Sequence, residues 1–289
     1  MSPATVWAVA AGAYGDCLIL LSLLERLHPP HPPLRVLGSG LSAEVAALLR
    51  RPLSVEPVLP GKAAFYALHS RGLRAGAREW LQLRRHLRQT VAPGDTVLFE
   101  RARWRHRGLV PGGVRVIEGA PHASAYERYR SAVEQAFGQP LPWTPAVAPG
   151  RIRQVVVNPA AGAAARWLSA SAVAHLAAAC RERGWTLCLI DPLDQHGALD
   201  ASGLRRLRRP ALPEAVQALR SADLYIGPDS FFLHLAYYWR VPALGVFQPG
   251  DQEFLPPGSQ APLTFAQTLD PAVWRRALGA LRHPVAETR

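Results

Sequence analysis

Residues 221–257 constrain the fold of this chain more than any other stretch, because their pattern predicts a strand, a helix and a second strand in succession. Residues 224–226 are apolar and are followed by a Gly-Pro turn. A helix is expected to begin near Asp229 and Ser230, because both residue types are favoured at helix N-caps, and to end before a proline. Residues 243–247 form the second apolar run. Two such strands joined by a helix indicate a parallel sheet.

The start of this predicted helix collects groups that suit an anion. Unpaired backbone N–H groups and the positive end of the helix dipole meet there, which is a common way to hold a phosphate. Ser230 and His234 are four residues apart and share one helix face, and the histidine leans back toward the turn. Asp229 precedes them directly. A simple cap with a structural histidine explains the same pattern, so the residues alone leave both interpretations open.

The stretch resembles the signature of glycosyltransferase family 9, the heptosyltransferases of lipopolysaccharide synthesis. That signature runs approximately A-D-x-x-I-x-x-D-T-G-x-x-H-L-A-A, then a proline, an apolar strand and F-G-P-T-D-P. The residues that match in register are Ala222, Asp223, Ile226, Asp229, Ser230, His234, Leu235, Ala236, Pro242, Phe247, Pro249 and Asp251. Phe231 departs from the family's glycine, which lets a phosphate approach the backbone closely. The resemblance implies donor binding by Asp229, Ser230, Phe231 and His234.

A second strand–turn–helix pattern opens the chain. Residues 5–11 are strand-like, residues 12–16 form a glycine turn and residues 17–27 have helical spacing. A dinucleotide-binding fold would need the G-x-G-x-x-G spacing and an acidic residue after the second strand, and the sequence has neither. The run Gly15-Asp16-Cys17-Leu18 is instead similar to the family's G-x-G-D-x-L, whose aspartate is the proposed catalytic base.

The resemblance therefore implies that Asp16 is the base and that the neighbouring Tyr14 contacts the acceptor. The alternative for Asp16 is a structural role, because a carboxylate at a helix start interacts favourably with the dipole.

The residues after the predicted strand at 154–157 match a third family motif only in part. The family shows H-P-G-A and then K-R-W-P, where this chain has NPAAG at 158–162 and Arg166-Trp167-Leu168. The family's lysine, thought to hold the donor diphosphate, falls on Ala165. The resemblance implies that Arg166 replaces it, since a guanidinium binds phosphate well, with Gly162 in the same donor site. Asp194 follows the next strand as a candidate for the donor ribose, or as a solvated loop residue.

The net charge of +12 comes almost entirely from arginine and predicts anionic partners. Residues 100–107 (ERARWRHR) directly follow a predicted strand, at the sheet edge where open α/β folds bind ligands. Family members use basic residues in this domain to hold anionic acceptors. We therefore expect an anionic glycan or small-molecule acceptor to bind Arg101, Arg103, Arg105 and Arg107. A solvated basic loop is the alternative.

Two other classes of function remain open from the sequence. A basic nucleic-acid-binding α/β protein fits the charge, but no recognition module is present, so no nucleic acid is expected. A non-catalytic relative of the family fits the departures at Phe231 and Ala165. A P-loop is excluded by the absence of its motif, and no motif suggests a zinc site. The resemblance implies a nucleotide-sugar substrate, with ADP-heptose as one candidate, and neither a metal nor a further cofactor.

The three cysteines form no C-x-x-C pair, which favours reduced thiols in a cytosolic protein. No apolar run is long enough for a membrane span, and the N-terminus lacks the basic region of a secretory signal. We expect a cytoplasmic protein, and the basic charge is compatible with peripheral contact at the inner face of the cytoplasmic membrane.

Residues 138–150 contain four prolines and predict a stiff linker. The expected domains are 1–138 and 151–289, with the linker at 139–150.

The resemblance implies the GT-B fold, in which two doubly wound Rossmann-like domains face each other across a cleft. It also implies that the first domain binds the acceptor, the second binds the nucleotide sugar, and the last helix, about 271–283, can pack back on the first domain. The implied reaction is inverting, metal-independent transfer of heptose or a similar sugar to an acceptor hydroxyl, in glycan, lipopolysaccharide or natural-product synthesis.

Overall fold

The computed structural model describes residues 4–59, 73–99, 108–120, 124–162, 164–197, 199, 204–250 and 252–281, with side chains from residue 77 onward in the second range. Contacts between residues divide the chain into two compact units, Met1–Trp143 and Thr144–Arg289. Among the described helices, none is both long enough and apolar enough to cross a membrane.

The described part of the first unit contains a five-stranded sheet. Its strands are Val6–Ala10 (β1), Leu34–Ser39 (β2), Val55–Leu59 (β3), Thr96–Phe99 (β4) and Arg115–Glu118 (β5). They run parallel in the order β3-β2-β1-β4-β5. The accompanying helices are Tyr14–Leu24 (α1), Gly40–Ala47 (α2), Leu73–Thr90 (α3) and Ala125–Phe137 (α4). The order reverses between β1 and β4, and ligands of such sheets bind outside the carboxyl ends at this reversal.

Helix α1 begins at Tyr14, inside the segment that was predicted to be a turn, and ends at Leu24. The early start has a local cause, because Asp16 Oδ2 accepts a hydrogen bond from the backbone N–H of Ala13, at 3.2 Å. That contact satisfies one N–H group at the entrance of the helix. As a result, Asp16 is part of the first helical turn and lies just beyond β1.

The second unit contains a six-stranded parallel sheet within its described residues. Its strands are Gln154–Val157 (β6), Thr186–Asp191 (β7), Arg205–Arg208 (β8), Leu224–Pro228 (β9), Ala243–Phe247 (β10) and Leu263–Thr264 (β11). Their order is β11-β10-β9-β6-β7-β8, so the strand order reverses between the parallel neighbours β6 and β9. The helices are Ala170–Arg181 (α5), Leu212–Arg220 (α6), Phe231–Trp239 (α7) and Pro271–Ala280 (α8).

Helix α8 belongs to the core of the second unit. Trp274 and Leu278 are fully buried among side chains of β6, β7 and α5. The Trp274 indole N–H donates to the carbonyl oxygen of Thr268 at 2.9 Å, which satisfies its one polar atom. The apolar face of α8 is therefore buried inside its own unit, and the expectation that the last helix packs back on the first domain stays a prediction.

Candidate active site

The passage from β9 into α7 is shaped by close packing around Gly227. A Cβ atom at this position would lie 2.3 Å from Tyr225 Oη and 2.8 Å from the carbonyl oxygen of Asn158, so only glycine fits. Burial raises the pKa of Tyr225, an effect that hydrogen bonds with Ser230 and Asn158 only partly offset. The tight fit brings the carboxyl end of β6 against the carboxyl end of β9, where the strand order reverses.

Asp229 lies directly after β9 and joins two other side chains. Its Oδ2 accepts a 2.7 Å hydrogen bond from Arg166 Nη1, and its Oδ1 lies 3.4 Å from His234 Nε2. The side chain of Asp229 is 11% exposed, that of His234 4% and that of Arg166 32%. Burial alone would raise the pKa of Asp229, but the hydrogen bonds and charges of His234 and Arg166 outweigh it and lower that pKa below its usual value.

Arg166 reaches this cluster from the turn after β6. It ends a short 3-10 helix, Ala164–Arg166, whose Ala165 carbonyl oxygen accepts a 3.1 Å hydrogen bond from Gln248 Nε2. Gly162 lies beside the guanidinium, since a Cβ atom there would be 3.6 Å from Nη2. The cluster thus offers a partly exposed cation next to the start of a helix, an arrangement that favours anions.

Ser230 occupies the N-cap position of α7, as predicted, with an extended backbone. Its side chain makes no cap hydrogen bond, and its hydroxyl oxygen lies 3.4 Å from Tyr225 Oη instead. The interpretation of Ser230 as a side-chain cap is therefore not supported. Phe231 begins the helix and packs edge-to-face on Phe232, with ring centroids 5.5 Å apart.

Asp194 does not join this group. Its carboxylate accepts a hydrogen bond from the guanidinium of Arg206 on β8. The same guanidinium donates to the buried Asp191 from Nε at 3.0 Å and from Nη2 at 2.8 Å. Burial would raise the pKa of Asp191, but hydrogen bonds from His196 and Arg206 lower it overall. Asp194 thus pairs with an arginine of its own unit and helps to anchor the edge strand, and its assignment to the donor ribose stays a prediction.

In the first unit, Asp16 is half-buried at the reversal of strand order. Its Oδ1 accepts a 2.7 Å hydrogen bond from Tyr129 Oη on α4, in addition to the contact of Oδ2 with Ala13. Within the part of the chain that the structure describes, Asp16 forms no ion pair, in contrast to Asp229. The donors to the Asp16 carboxylate at Ala13 and Tyr129 are both neutral groups.

Tyr14 is engaged with the neighbouring helix α2, because its hydroxyl donates to Glu44 Oε2 at 2.9 Å. Burial, together with the hydrogen bond and the charge of Glu44, raises the pKa of Tyr14 to about 12. The phenol is therefore neutral at physiological pH.

The four candidate acceptor residues, Arg101, Arg103, Arg105 and Arg107, lie outside the described residues together with Asp251, and their roles stay predictions.

A family model described as glycosyltransferase family 9 (heptosyltransferase) matches residues 103–271, which is more than half of the chain. This chain belongs to glycosyltransferase family 9. The members of this family are enzymes, so the protein is a glycosyltransferase. Comparison with curated protein sequences gave no significant match.

Three solved structures show that this chain shares its fold with other glycosyltransferases. The E. coli heptosyltransferase WaaC with ADP-2-deoxy-2-fluoro heptose has a TM-score of 0.68 at 15% identity, over 96% of this chain and 99% of that chain. E. coli ADP-heptose lipopolysaccharide heptosyltransferase II has a TM-score of 0.63 at 16% identity, over 96% and 98%. A family 9 glycosyl transferase from Veillonella parvula has a TM-score of 0.65 at 13% identity, over 91% and 86%. The predicted GT-B fold, with two Rossmann-like domains, is confirmed.

Two residues of the family 9 protein's candidate site were missed by the sequence analysis. Tyr129 is 113 positions from Asp16, and Gln248 is 83 positions from Ala165. Neither lies in a motif that was singled out. Tyr129 is one of several apolar or aromatic residues on the buried face of α4, so its spacing indicates core packing only.

Proposed function

We propose that this glycosyltransferase transfers heptose or a similar sugar from a nucleoside-diphosphate sugar to an acceptor hydroxyl, with inversion and without a metal ion. The observation that carries the proposal is the cluster of Arg166, Asp229 and His234 at the start of α7, in a chain that belongs to a heptosyltransferase family. E. coli WaaC structures with ADP and with ADP-2-deoxy-2-fluoro heptose support an adenosine diphosphate sugar as the first donor to test.

The donor diphosphate is expected at the start of α7, next to Arg166. A guanidinium carries five N–H donors, and Asp229 accepts from one of them, on Nη1. The other N–H groups can donate to phosphate oxygens, while Asp229 keeps the side chain oriented. In this way, the charge that develops on the leaving nucleoside diphosphate is stabilised by a preorganised cation and a helix start.

Phe231 stands where the family signature has glycine, so the phosphates cannot approach this backbone position as closely. We therefore expect the Ser230 hydroxyl and the Arg166 guanidinium to make the main phosphate contacts. The same departure, with Ala165 in place of the family's lysine, favours a non-catalytic relative as the second candidate function.

Asp16 is the proposed general base. It takes the proton from the acceptor hydroxyl while that oxygen bonds to the anomeric carbon and the bond from this carbon to the diphosphate breaks. A single displacement with one base inverts the configuration. Asp229 is less suited to this role, because it is already paired with Arg166 and its pKa is lowered.

The acceptor side of the proposal rests on the sequence. Arg101, Arg103, Arg105 and Arg107 are proposed to hold an anionic acceptor, such as a phosphorylated or carboxylated glycan. Lipopolysaccharide, another glycan or a natural product would supply such an acceptor hydroxyl. A cytoplasmic location, with peripheral contact at the inner face of the membrane, accords with the basic charge.

Isothermal titration with a panel of nucleoside diphosphates tests the donor site. Micromolar or tighter binding of one diphosphate, without binding of the corresponding nucleoside, is expected. Arg166→Ala should weaken that binding, and Arg220→Ala serves as its control, because Arg220 stacks on Trp239 at 4.3 Å instead of joining the cluster. Failure of every diphosphate to bind would overturn the transferase proposal in favour of the non-catalytic relative.

A further inference from the structure

We propose that Tyr129 is a positioning residue that orients the carboxylate of Asp16 for proton transfer, an inference that rests on the proposed role of Asp16 as the base. The Tyr129 hydroxyl donates to Asp16 Oδ1 at 2.7 Å. This contact joins the middle of α4 to the first turn of α1, across 113 positions of sequence. No motif of the sequence assigns a role to this tyrosine.

An aspartate side chain needs such a contact, because its terminal torsion is broad and roughly two-fold and does not by itself hold the carboxylate plane. The contact from the backbone N–H of Ala13 to Oδ2 is long, at 3.2 Å. The shorter bond from Tyr129 reaches the other oxygen. Two donors on two different oxygens define the carboxylate plane, and each oxygen keeps a lone pair for a further partner.

Tyr129 is suited to this task because it is itself immobile. Its side chain is 1% exposed, and it belongs to a helix with a buried face that includes Tyr126, Ala132 and Val133. Helix α4 packs against α1, which follows β1, and against β4, so it lies next to the reversal of strand order. The hydroxyl therefore approaches Asp16 from the protein interior.

The chemistry of the donor matters as well. A guanidinium or ammonium group in this position would stabilise the ionised carboxylate strongly and weaken it as a base. A phenol donates one hydrogen bond and adds no charge. Tyr129 can thus fix the geometry of Asp16 without the positive charge that Arg166 brings to Asp229.

Steady-state kinetics of Tyr129→Phe tests the proposal, with Tyr126→Phe as the matched control. Tyr126 lies on the same helix, is 2% exposed and packs its ring on Trp143, at 5.2 Å between centroids. We expect Tyr129→Phe to lower kcat about tenfold, a part of the roughly 10²–10⁴-fold contribution of a general base, with the donor KM and the Kd of the nucleoside diphosphate unchanged. Tyr126→Phe should leave kcat close to that of the wild type.

A double-variant cycle with Asp16→Ala separates positioning from a general loss of stability. Without the carboxylate, Tyr129→Phe should cause no further loss, so the double variant should match Asp16→Ala. Losses that multiply in the double variant, or an equal loss in Tyr126→Phe, would overturn the positioning role. If Asp16→Ala loses activity and Tyr129→Phe does not, only this inference fails. If Asp16→Ala transfers sugar at the wild-type rate, the base assignment fails and the inference falls with it.

Discussion

Arg166 and Asp229 form a 2.7 Å hydrogen bond across the reversal of strand order in the second unit, although they are 63 positions apart. Arg166 lies in the turn after β6, and Asp229 follows the adjacent strand β9. The bond holds a cation beside the start of α7. It also explains why Asp229 is ionised in spite of its burial, because Arg166 and His234 together outweigh the effect of burial on its pKa.

Asp16→Asn is expected to leave folding intact and to lower turnover by roughly 10²–10⁴-fold, because an amide cannot accept the acceptor's proton at neutral pH. Steady-state rates and the thermal unfolding midpoint are the measurements. Glu182→Gln is the control, since the exposed Glu182 pairs with Arg275 and belongs to no candidate site. A wild-type rate for Asp16→Asn would exclude Asp16 as the base.

Arg166→Ala should weaken binding of the nucleoside diphosphate by at least tenfold, because one charge-assisted hydrogen bond is worth about 1.5–3 kcal/mol. Arg166→Lys should recover only part of this loss, since lysine lacks the planar fork that contacts Asp229 and a phosphate together. Calorimetric Kd values measure both effects. Equal affinities for the wild type and Arg166→Ala would contradict the donor site.

Acid should remove the stabilising contribution of Asp229. Its pKa is lowered from the usual value of 3.8, so the unfolded chain takes up this proton more readily than the folded chain. The contribution is therefore fully present above that value and is lost as the pH falls through the lowered pKa. We expect the free energy of unfolding to fall more steeply below about pH 4 in the wild type than in Asp229→Asn. Parallel urea-unfolding curves for the two proteins across this range would refute the assignment.

Gly227→Ala should destabilise the second unit by about 1–3 kcal/mol or more, because the new Cβ atom has no space beside Tyr225 and Asn158. Gly162→Ala is the matched control. Its Cβ atom would lie 3.6 Å from Arg166, an ordinary contact distance, so we expect a change within about 0.5 kcal/mol. Urea unfolding at neutral pH measures both, and a tolerated Gly227→Ala would show that this packing can adjust.

Replacing Arg103 and Arg105 with alanine should raise the acceptor KM several-fold and leave donor affinity unchanged. The reason is that each desolvated, charge-assisted contact to an anionic acceptor is worth about 1.5–3 kcal/mol. Kinetics with the acceptor varied at saturating donor is the measurement. An unchanged acceptor KM, or the discovery of a neutral acceptor, would remove this loop from the binding site.

Three strands, β3, β8 and β11, were not predicted from the sequence, and all three lie at a sheet edge. Strand β3, VEPVL, contains a proline, which edge strands tolerate because one side of their backbone has no partner strand. Strand β8 reads RRLR and has neither an apolar run nor alternation. Its pairing with β7 is supported by Arg206, which binds Asp191 and Asp194. Tertiary contacts of this kind leave no periodicity in the sequence.

The sequence by itself determined the local elements around the candidate site. Helix α7 and strand β10 have the predicted bounds, because an apolar run, a glycine-proline turn and a proline after the helix act over a few neighbouring positions. The match to the family signature likewise depends only on the order of residues. Only the tertiary structure decided which side chains meet. Tyr129 with Asp16, Arg166 with Asp229 and Arg206 with Asp194 are separated by 113, 63 and 12 positions, and local spacing carries no information about contacts that the packing of strands and helices creates.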